Sequence, residues 1–433
     1  MNRLSYLVVC ASLAASATSA RAQTVVAPAP PQAAAPVEPP PPLPPPPPLE
    51  EVRLEEIPAA PALVAPATVP EAPPSPVRSE HITSGYDNGF FLQTPDQVSR
   101  LRIRGLVQPR FALVAADADV STWTASFAVQ RAQIELTGHV FSRALGFTMK
   151  TEFGKGEAFI KDAFMDAKVA EGMLLRTGLW KRPFSRQQLT SDWRLAFFER
   201  STVDAAFGSG RDIGMALQAD IDRSPAFEWN LGVFSGASDK SKITGDMAID
   251  AENGIGSLDN VKVGNVPTLF TPTLVARFGY NVGAVQGYSE IDVAGGGPRY
   301  SIAASVLEAV DVSGKGKSAT RAEVDAMLKI DHVTATGALF LSTLQDDPLA
   351  YIQTADKIGG YAQVGVLLCD VVHPALRYSL VNEFADGALA HEVLANATML
   401  LFGQNVLWGV EAGSIITDEG FDVRVRTQAQ VQF

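Results

Sequence analysis

The chain has 433 residues, with 35 Lys+Arg against 47 Asp+Glu, a net charge of −12, and two cysteines. That charge disfavours nucleic acid as a partner, and two cysteines exclude a disulfide-built scaffold. Past the N-terminal leader no segment is apolar for 18 residues, which excludes transmembrane helices but not a membrane barrel, whose strands alternate and so escape hydropathy.

Residues 1–22 read as a signal peptide. Arg3 leads into LSYLVVCASLAA, and Ala20-Arg21-Ala22 offers a small-x-small cleavage site after Ala22. A membrane anchor is the weaker reading, because the apolar run falls short of the ~20 residues of a spanning helix. Cleavage removes Cys10, leaves Cys369 without an intramolecular partner, and takes the net charge to about −14. Residues 23–80 are a proline-rich, disordered periplasmic tether: 20 of the 29 prolines lie between Pro28 and Pro76. Such a run favours extended polyproline II and builds no core. At ~3.1 Å per residue, fifty residues reach on the order of 150 Å. A spacer toward the cell wall and a passive linker both fit this composition.

Residues 81–97 form a periplasmic lead-in. From 98 to 433 short alternating runs repeat, at 100–112, 124–138, 144–153, 159–169, 173–182, 211–221, 226–235, 271–280, 298–308, 320–331, 333–343, 356–368, 374–384, 391–401, 404–415 and 420–433. Most are about ten residues long, the length of a tilted membrane strand. Brief connections such as 141–144, 170–173 and 222–225 alternate with longer ones such as 113–123, 183–210, 236–270 and 344–355. Tight periplasmic turns and long outer loops produce that alternation in a barrel. The connection 281–297 breaks the rule, being long where a short turn is required.

The runs are two-faced. In RAEVDAMLKID (321–331), Arg321, Glu323, Asp325, Lys329 and Asp331 share one face, and Ala322, Val324, Ala326, Leu328 and Ile330 the other. The run 211–221 sets Ile213, Met215, Leu217, Ala219 and Ile221 against Asp212, Gln218 and Asp220. The run 226–235 sets Phe227, Trp229, Leu231 and Val233 against Glu228 and Asn230. In the closing VRVRTQAQVQF, Arg424, Arg426, Gln428, Gln430 and Gln432 oppose Val423, Val425, Thr427, Ala429, Val431 and Phe433. A β-sandwich also alternates, but its apolar faces need a second sheet to cover them. The high strand count without a domain break, the aliphatic dry face and the terminal Phe433 favour a barrel whose dry face meets lipid.

At SGYDNGFFLQTPDQVSRLRIRGLVQPRF (84–111), FAVQRAQIELTGHVF (127–141), LLRTGLWKRPFSRQQLTSDWRLAFFERS (174–201), RDIGMAL (211–217) and WNLGVFSGAS (229–238), the chain resembles the phosphate-selective porin O/P family. The resemblance covers most of 84–433 and rests on the order of diffuse motifs. It implies an all-β fold: a transmembrane antiparallel β-barrel of 16 strands, often trimeric, with an inward-folded third outer loop, here 183–210. Phe433 resembles the outer-membrane assembly signal. The expected setting is the outer membrane of a Gram-negative bacterium, with lipid and the assembly machinery as partners, and cell-wall contact through the tether.

A sixteen-stranded barrel holds an aqueous pore whose selectivity follows the charges at its constriction. The third loop offers Arg186, Arg194 and Arg200 against Asp192, Glu199 and Asp204. Closure of the last strand on the first is expected to bring Arg424 and Arg426 beside Arg102, Arg104 and Arg110, with Arg131 on the next strand. This basic wall, locally opposed only by Glu135 and Asp422, is either an anion track or half of a transverse field in a general porin.

Other motifs carry no chemistry. DVSGKGKS (311–318) has Asp311 where a phosphate-binding loop needs Gly. His81, His139, His332, His373 and His391 lack metal-ligand spacing, and His332 and His373 are expected in solvated turns. GVFSG (232–236) lacks the spacing of a nucleophile elbow. No basic group is placed to activate Cys369. No cofactor or metal is expected. An outer-membrane barrel enzyme, needing a Ser–His pair on neighbouring strands, and a barrel anchor with a plugged lumen are the competing classes.

Overall fold

The computed structural model describes residues 81–116, 123–156, 158–220, 225–236, 242–250, 255–264, 272–285, 288–310, 319–344, 357–383, 389–418 and 420–433. The signal and tether segments, the 311–318 motif and the 344–355 connection beyond Leu344 lie outside these residues. A hairpin of β1 (Thr83–Tyr86) and β2 (Phe90–Gln93) precedes the barrel. The first seven barrel strands are β3 (Arg100–Ala115), β4 (Thr124–His139), β5 (Leu145–Glu152), β6 (Phe159–Ala170), β7 (Met173–Lys181), β8 (Arg211–Ala219) and β9 (Phe227–Phe234). A separate hairpin, β10 (Lys242–Asp250) and β11 (Ile255–Gly264), occupies the connection that follows. The remaining nine are β12 (Thr273–Val282), β13 (Arg299–Ala309), β14 (Ala319–Ile330), β15 (Val333–Leu344), β16 (Lys357–Val366), β17 (Val372–Glu383), β18 (Leu389–Phe402), β19 (Val406–Thr417) and β20 (Gly420–Gln432).

Each of these sixteen pairs antiparallel with its chain neighbour, β9 pairs with β12, and β20 pairs with β3 to close the cylinder. All sixteen alternating runs are strands. Closure leaves no open edge within the barrel, which a membrane requires because hydrocarbon satisfies no backbone polar group. The dry residues point outward: Val324, Leu339 and Leu376 are 51%, 71% and 60% exposed. Their wet neighbours Glu323, Asp325 and Lys329 are buried within the bore.

The chain terminus is built into the seam. Phe433 and Gly105 exchange both backbone hydrogen bonds, at 2.8 and 3.0 Å. The Phe433 ring lies where a Cβ on residue 105 would stand, so a side chain at 105 would have to displace the ring. Below it β2 extends the sheet by pairing with Arg100–Ile103, and Phe90 approaches the Phe433 ring at 6.2 Å.

At the end holding the chain terminus, most connections are tight. Asp331 and His332 form a two-residue turn with φ of 46° and 73°, the positive pair that matches strand twist. The β12–β13 connection, 283–298, is the exception. Its middle is no surface loop: Val285 and residues 288–292 are buried, while 283–284, 293–294 and 296–298 are exposed. One expectation is corrected at this end. His373 belongs to β17 and is fully buried rather than solvated in a turn.

Candidate functional site

The site is the bore. Residues 182–210 leave β7 and make contact with lumen-facing side chains around the cylinder. Two short helices shape the segment: α1 (Arg186–Leu189), capped by the Ser185 hydroxyl accepting from Gln188 N at 2.9 Å, and α2 (Thr202–Phe207), capped by Ser201 accepting from Asp204 N at 3.1 Å. Its root docks on β12–β14. Arg186 pairs with Asp325 and donates to Ser301 Oγ at 2.8 Å, and the Phe184 carbonyl accepts from Arg277 at 3.4 Å. Its tip docks on the opposite side: Phe198 O accepts from both Arg110 and Arg131 at 3.3 Å, while Phe198 N donates to Glu411 at 3.2 Å. Arg377 reaches Glu199 O at 2.9 Å, and Arg321 reaches Gly208 O at 2.7 Å. Phe184, Val203 and Phe207 pack with the inward-facing Val275, Leu307, Phe340, Tyr361 and Val381.

A second segment meets this one from the short-turn end. Glu290 N donates to Arg194 O at 2.9 Å, and the Glu290 carboxylate accepts from Ala196 N at 2.9 Å and Gln187 Nε2 at 3.3 Å. Thr190 donates to Tyr288 O at 3.3 Å. Ile291 shares a cluster with Phe197, Leu367, Leu394 and Leu400, and Tyr288 stacks beneath the Arg186 guanidinium at 4.5 Å. These two segments cover the inward face of β12–β18 as a core is covered, so its polar residues are buried in strict alternation.

Cavities open at both ends of this packing among the described residues. One, of about 430 Å³, opens among the short turns and is lined by Arg143, Lys168, Arg176, Lys181 and Arg194 together with Asp166, Glu171 and Asp220. The other, of about 240 Å³, lies in the half toward the long loops and is lined by Arg110, Arg424, Arg426, Gln130 and Asp422. Between them a strip of charges runs along β4–β6. Asp192 accepts from Lys161 at 2.8 Å and Arg200 at 2.9 Å, with Arg131 at 3.7 Å. Glu199 pairs with Arg131 at 2.5 Å and Arg110 at 2.7 Å. Burial pushes both loop carboxyls up, but the surrounding cations outweigh it: Asp192 is held well below the ordinary range and Glu199 at about 2.

The six wall arginines do not form one patch. The closing register sets Arg424 opposite Val114 and Arg426 opposite Ala112. Arg104 lies eight residues from Ala112, roughly 27 Å at ~3.4 Å per residue. Arg102 sits at the short-turn rim, bound to Asp87 at 3.2 Å, and Arg104 pairs with Glu135. Nor are they opposed only by Glu135 and Asp422: Arg424 pairs with Glu392 at 2.5 Å, Arg426 with Glu411, and Arg110 and Arg131 with Glu199. Among the loop residues, Arg186 is buried against Asp325. Arg200 braces the loop through Gln187 O and Thr190 O at 2.8 and 2.9 Å, and Asp204 is buried accepting from Ser185. Arg194 lines the larger cavity, Glu199 pairs with Arg110 and accepts from Gln130 of the smaller cavity's lining, and Asp192 lies in the charge strip between.

Several residues here escaped the sequence reading. Lys161 lies on the dry side by simple alternation, but a register shift beside Thr151 makes it the extra residue of a bulge and turns it to Asp192. Gln130 is the extra residue of a second bulge, where Pro109 interrupts the ladder, and it donates to Glu199 at 3.0 Å. Pro109 was the available signal. Among the described residues no cluster of His, Cys, Asp and Glu is arranged to hold a metal.

The family model for phosphate-selective porin O and P matches residues 105–367. The chain belongs to this porin family. It is therefore a channel-forming barrel of the Gram-negative outer membrane. An anion-selective porin from Comamonas acidovorans is similar at 12% identity and TM-score 0.52, covering 77% of this chain and 100% of that one. Salmonella typhi OmpF in complex with daunomycin is similar at 13% identity and TM-score 0.50, covering 81% and 100%. At these identities the likeness concerns the fold alone. Compared by sequence with curated proteins, the chain matches none.

Proposed function

We propose that this porin passes small hydrophilic solutes with a modest preference for anions and no phosphate specificity. The carrying observation is the cavity of about 240 Å³ lined by Arg110, Arg424 and Arg426, in which Asp422 is the one acidic lining residue. A solute entering from the long-loop end meets these guanidiniums, passes Arg131 and Lys161 beside the 182–210 loop, and leaves through the larger cavity. Arg110, Arg131, Arg424 and Arg426 form the basic wall of that route. Asp192, Arg194 and Glu199 form its constriction, with Arg186, Arg200 and Asp204 holding the loop in shape. Every one of these wall arginines also has a carboxylate partner, which argues for weak selectivity rather than a bare phosphate track.

The same reading takes residues 1–22 as the export signal, 23–80 as a periplasmic tether that contacts the cell wall, 81–97 as the lead-in and 98–433 as the barrel. It takes the assembly as a homotrimer delivered by the outer-membrane machinery through the strand ending at Phe433. Reversal potential in planar bilayers under a KCl gradient tests the selectivity. Chloride preference is expected, and potassium preference rejects the anion route.

A further inference from the structure

We propose that the β12–β13 connection is a second constriction element: it fills the bore from the periplasmic end, holds the 182–210 loop from below, and so sets the channel's size limit. The proposal rests on the porin reading above and concerns what limits passage through that same bore.

The segment is built to stay inside. Connections at the same end are as short as the Asp331–His332 turn, whereas this one spans 283–298. Asp292 is fully buried and latched at its return: Arg299 donates to Oδ2 at 2.6 Å, His332 N to the same oxygen at 3.2 Å, and Gly295 N to Oδ1 at 3.3 Å. The Asp292 carbonyl lies 3.0 Å from His332 Nδ1, and Gly296 O accepts from Asp331 N at 2.8 Å. A buried, unpaired carboxylate would be expensive, so these partners make the inward position the stable one. Farther in, Val285 and Tyr288 pack on Met327 and Leu189, and Lys329 donates to Val285 O at 3.2 Å.

The consequence is geometric. With the loop alone crossing the bore, the periplasmic half beneath β12–β18 would be open water, and polar wall residues there would be hydrated. Instead Lys329 and His373 are fully buried, and the larger cavity lies on the opposite wall, against β5–β9, with Tyr288 at its border. The route is thereby displaced to one side. Because Glu290 holds Arg194 and Ala196 of the loop, the segment also fixes how far the loop stands from the β4–β6 charge strip.

The test replaces residues 284–297 with Asn-Gly in the full chain and compares single-channel conductance and liposome swelling with sugars of graded size. Heat-modifiable electrophoretic mobility reports barrel closure. Conductance is expected to rise roughly twofold or more, with entry of sugars that the wild type excludes, since flux follows the narrowest cross-section. Wild-type conductance and size limit in a closed-barrel variant overturn the proposal. If the shortened chain fails to close, Asp292→Ala serves: it releases the latch, and current fluctuating between the wild-type level and larger ones supports the proposal, whereas steady wild-type current overturns it. If the wild type is silent and a variant conducts, the segment closes the channel outright, which supports the proposal. If wild type and closed variants alike are silent, the porin reading fails and this one with it.

Discussion

Glu199→Gln isolates the charge balance at the proposed constriction. Glu199 neutralises two arginines, Arg131 at 2.5 Å and Arg110 at 2.7 Å, and the substitution leaves one unit of positive charge uncompensated. The loop should stay in place. Arg110 and Arg131 still donate to Phe198 O at 3.3 Å, and Arg377 still donates to the residue-199 carbonyl at 2.9 Å. For an ion passing ~5 Å away in a wet bore of effective dielectric ~70, one unit charge contributes ~1 kcal/mol, with opposite sign for chloride and potassium. Screening at 0.1 M salt lowers the combined difference to on the order of 1.2 kcal/mol. That is about a sevenfold rise in the chloride-to-potassium permeability ratio. Reversal potential under a KCl gradient reads it, and single-channel conductance checks that the loop has not moved. A ratio unchanged at unchanged conductance would mean that ions do not pass Glu199, and the route argued above would be wrong.

The acid response of this carboxyl has a definite sign. Its pKa in the folded protein is about 2, below the ordinary carboxylate value, so the anchoring it provides is complete above pH ~4.5 and is lost as pH falls through about 2. Selectivity should stay flat in bilayer recordings from pH 7 to about 4, and a transition centred near pH 4.5 would contradict the pairing. Asp325→Ala leaves Arg186 without its buried carboxylate and takes one of two from Arg277 NH1, a class of loss that costs ~3–5 kcal/mol. Current noise should increase and thermal unfolding should shift downward together. Gly105→Val forces a side chain into the Phe433 ring, an overpacking that costs ~1–3 kcal/mol, and should lower the heat-modifiable folded fraction, which Phe433→Ala in the same chain should partly restore. Val324→Arg, on the lipid face of β14, should cost ~2–4 kcal/mol in folding into vesicles; a cost near zero would contradict its outward placement.

Much of this architecture was legible residue by residue. The run 321–331 shows why: lipid contact on one side and the bore on the other impose a period of two that no distant contact can alter. The same logic placed Arg424 and Arg426 inward, and it flagged 281–297 as a connection of the wrong length. It failed at Lys161 and Gln130, where bulges reverse the alternation for one residue. It gave no reason for Met327, an apolar residue on the wet face of β14 that packs with Tyr288 and Val285. The supposed continuous arginine wall failed for a different reason. Strand parity says which face a side chain occupies, but height along the barrel comes from the closing register, which sets Gln428 rather than Arg424 opposite Arg110.

The sequence by itself determined the strand count, the outward and inward faces, and membership of a porin family, because each strand meets hydrocarbon on its own and must satisfy that boundary locally. Only the tertiary structure decided which inward charges face the solute. Arg277 and Arg377 lie on the wet side yet are enclosed by segments far away in the chain, while Arg110 and Arg424 border open space. Ionic pairing inside the bore is a long-range matter: a guanidinium is buried or hydrated according to what folds over it, and alternation along its own strand carries no trace of that.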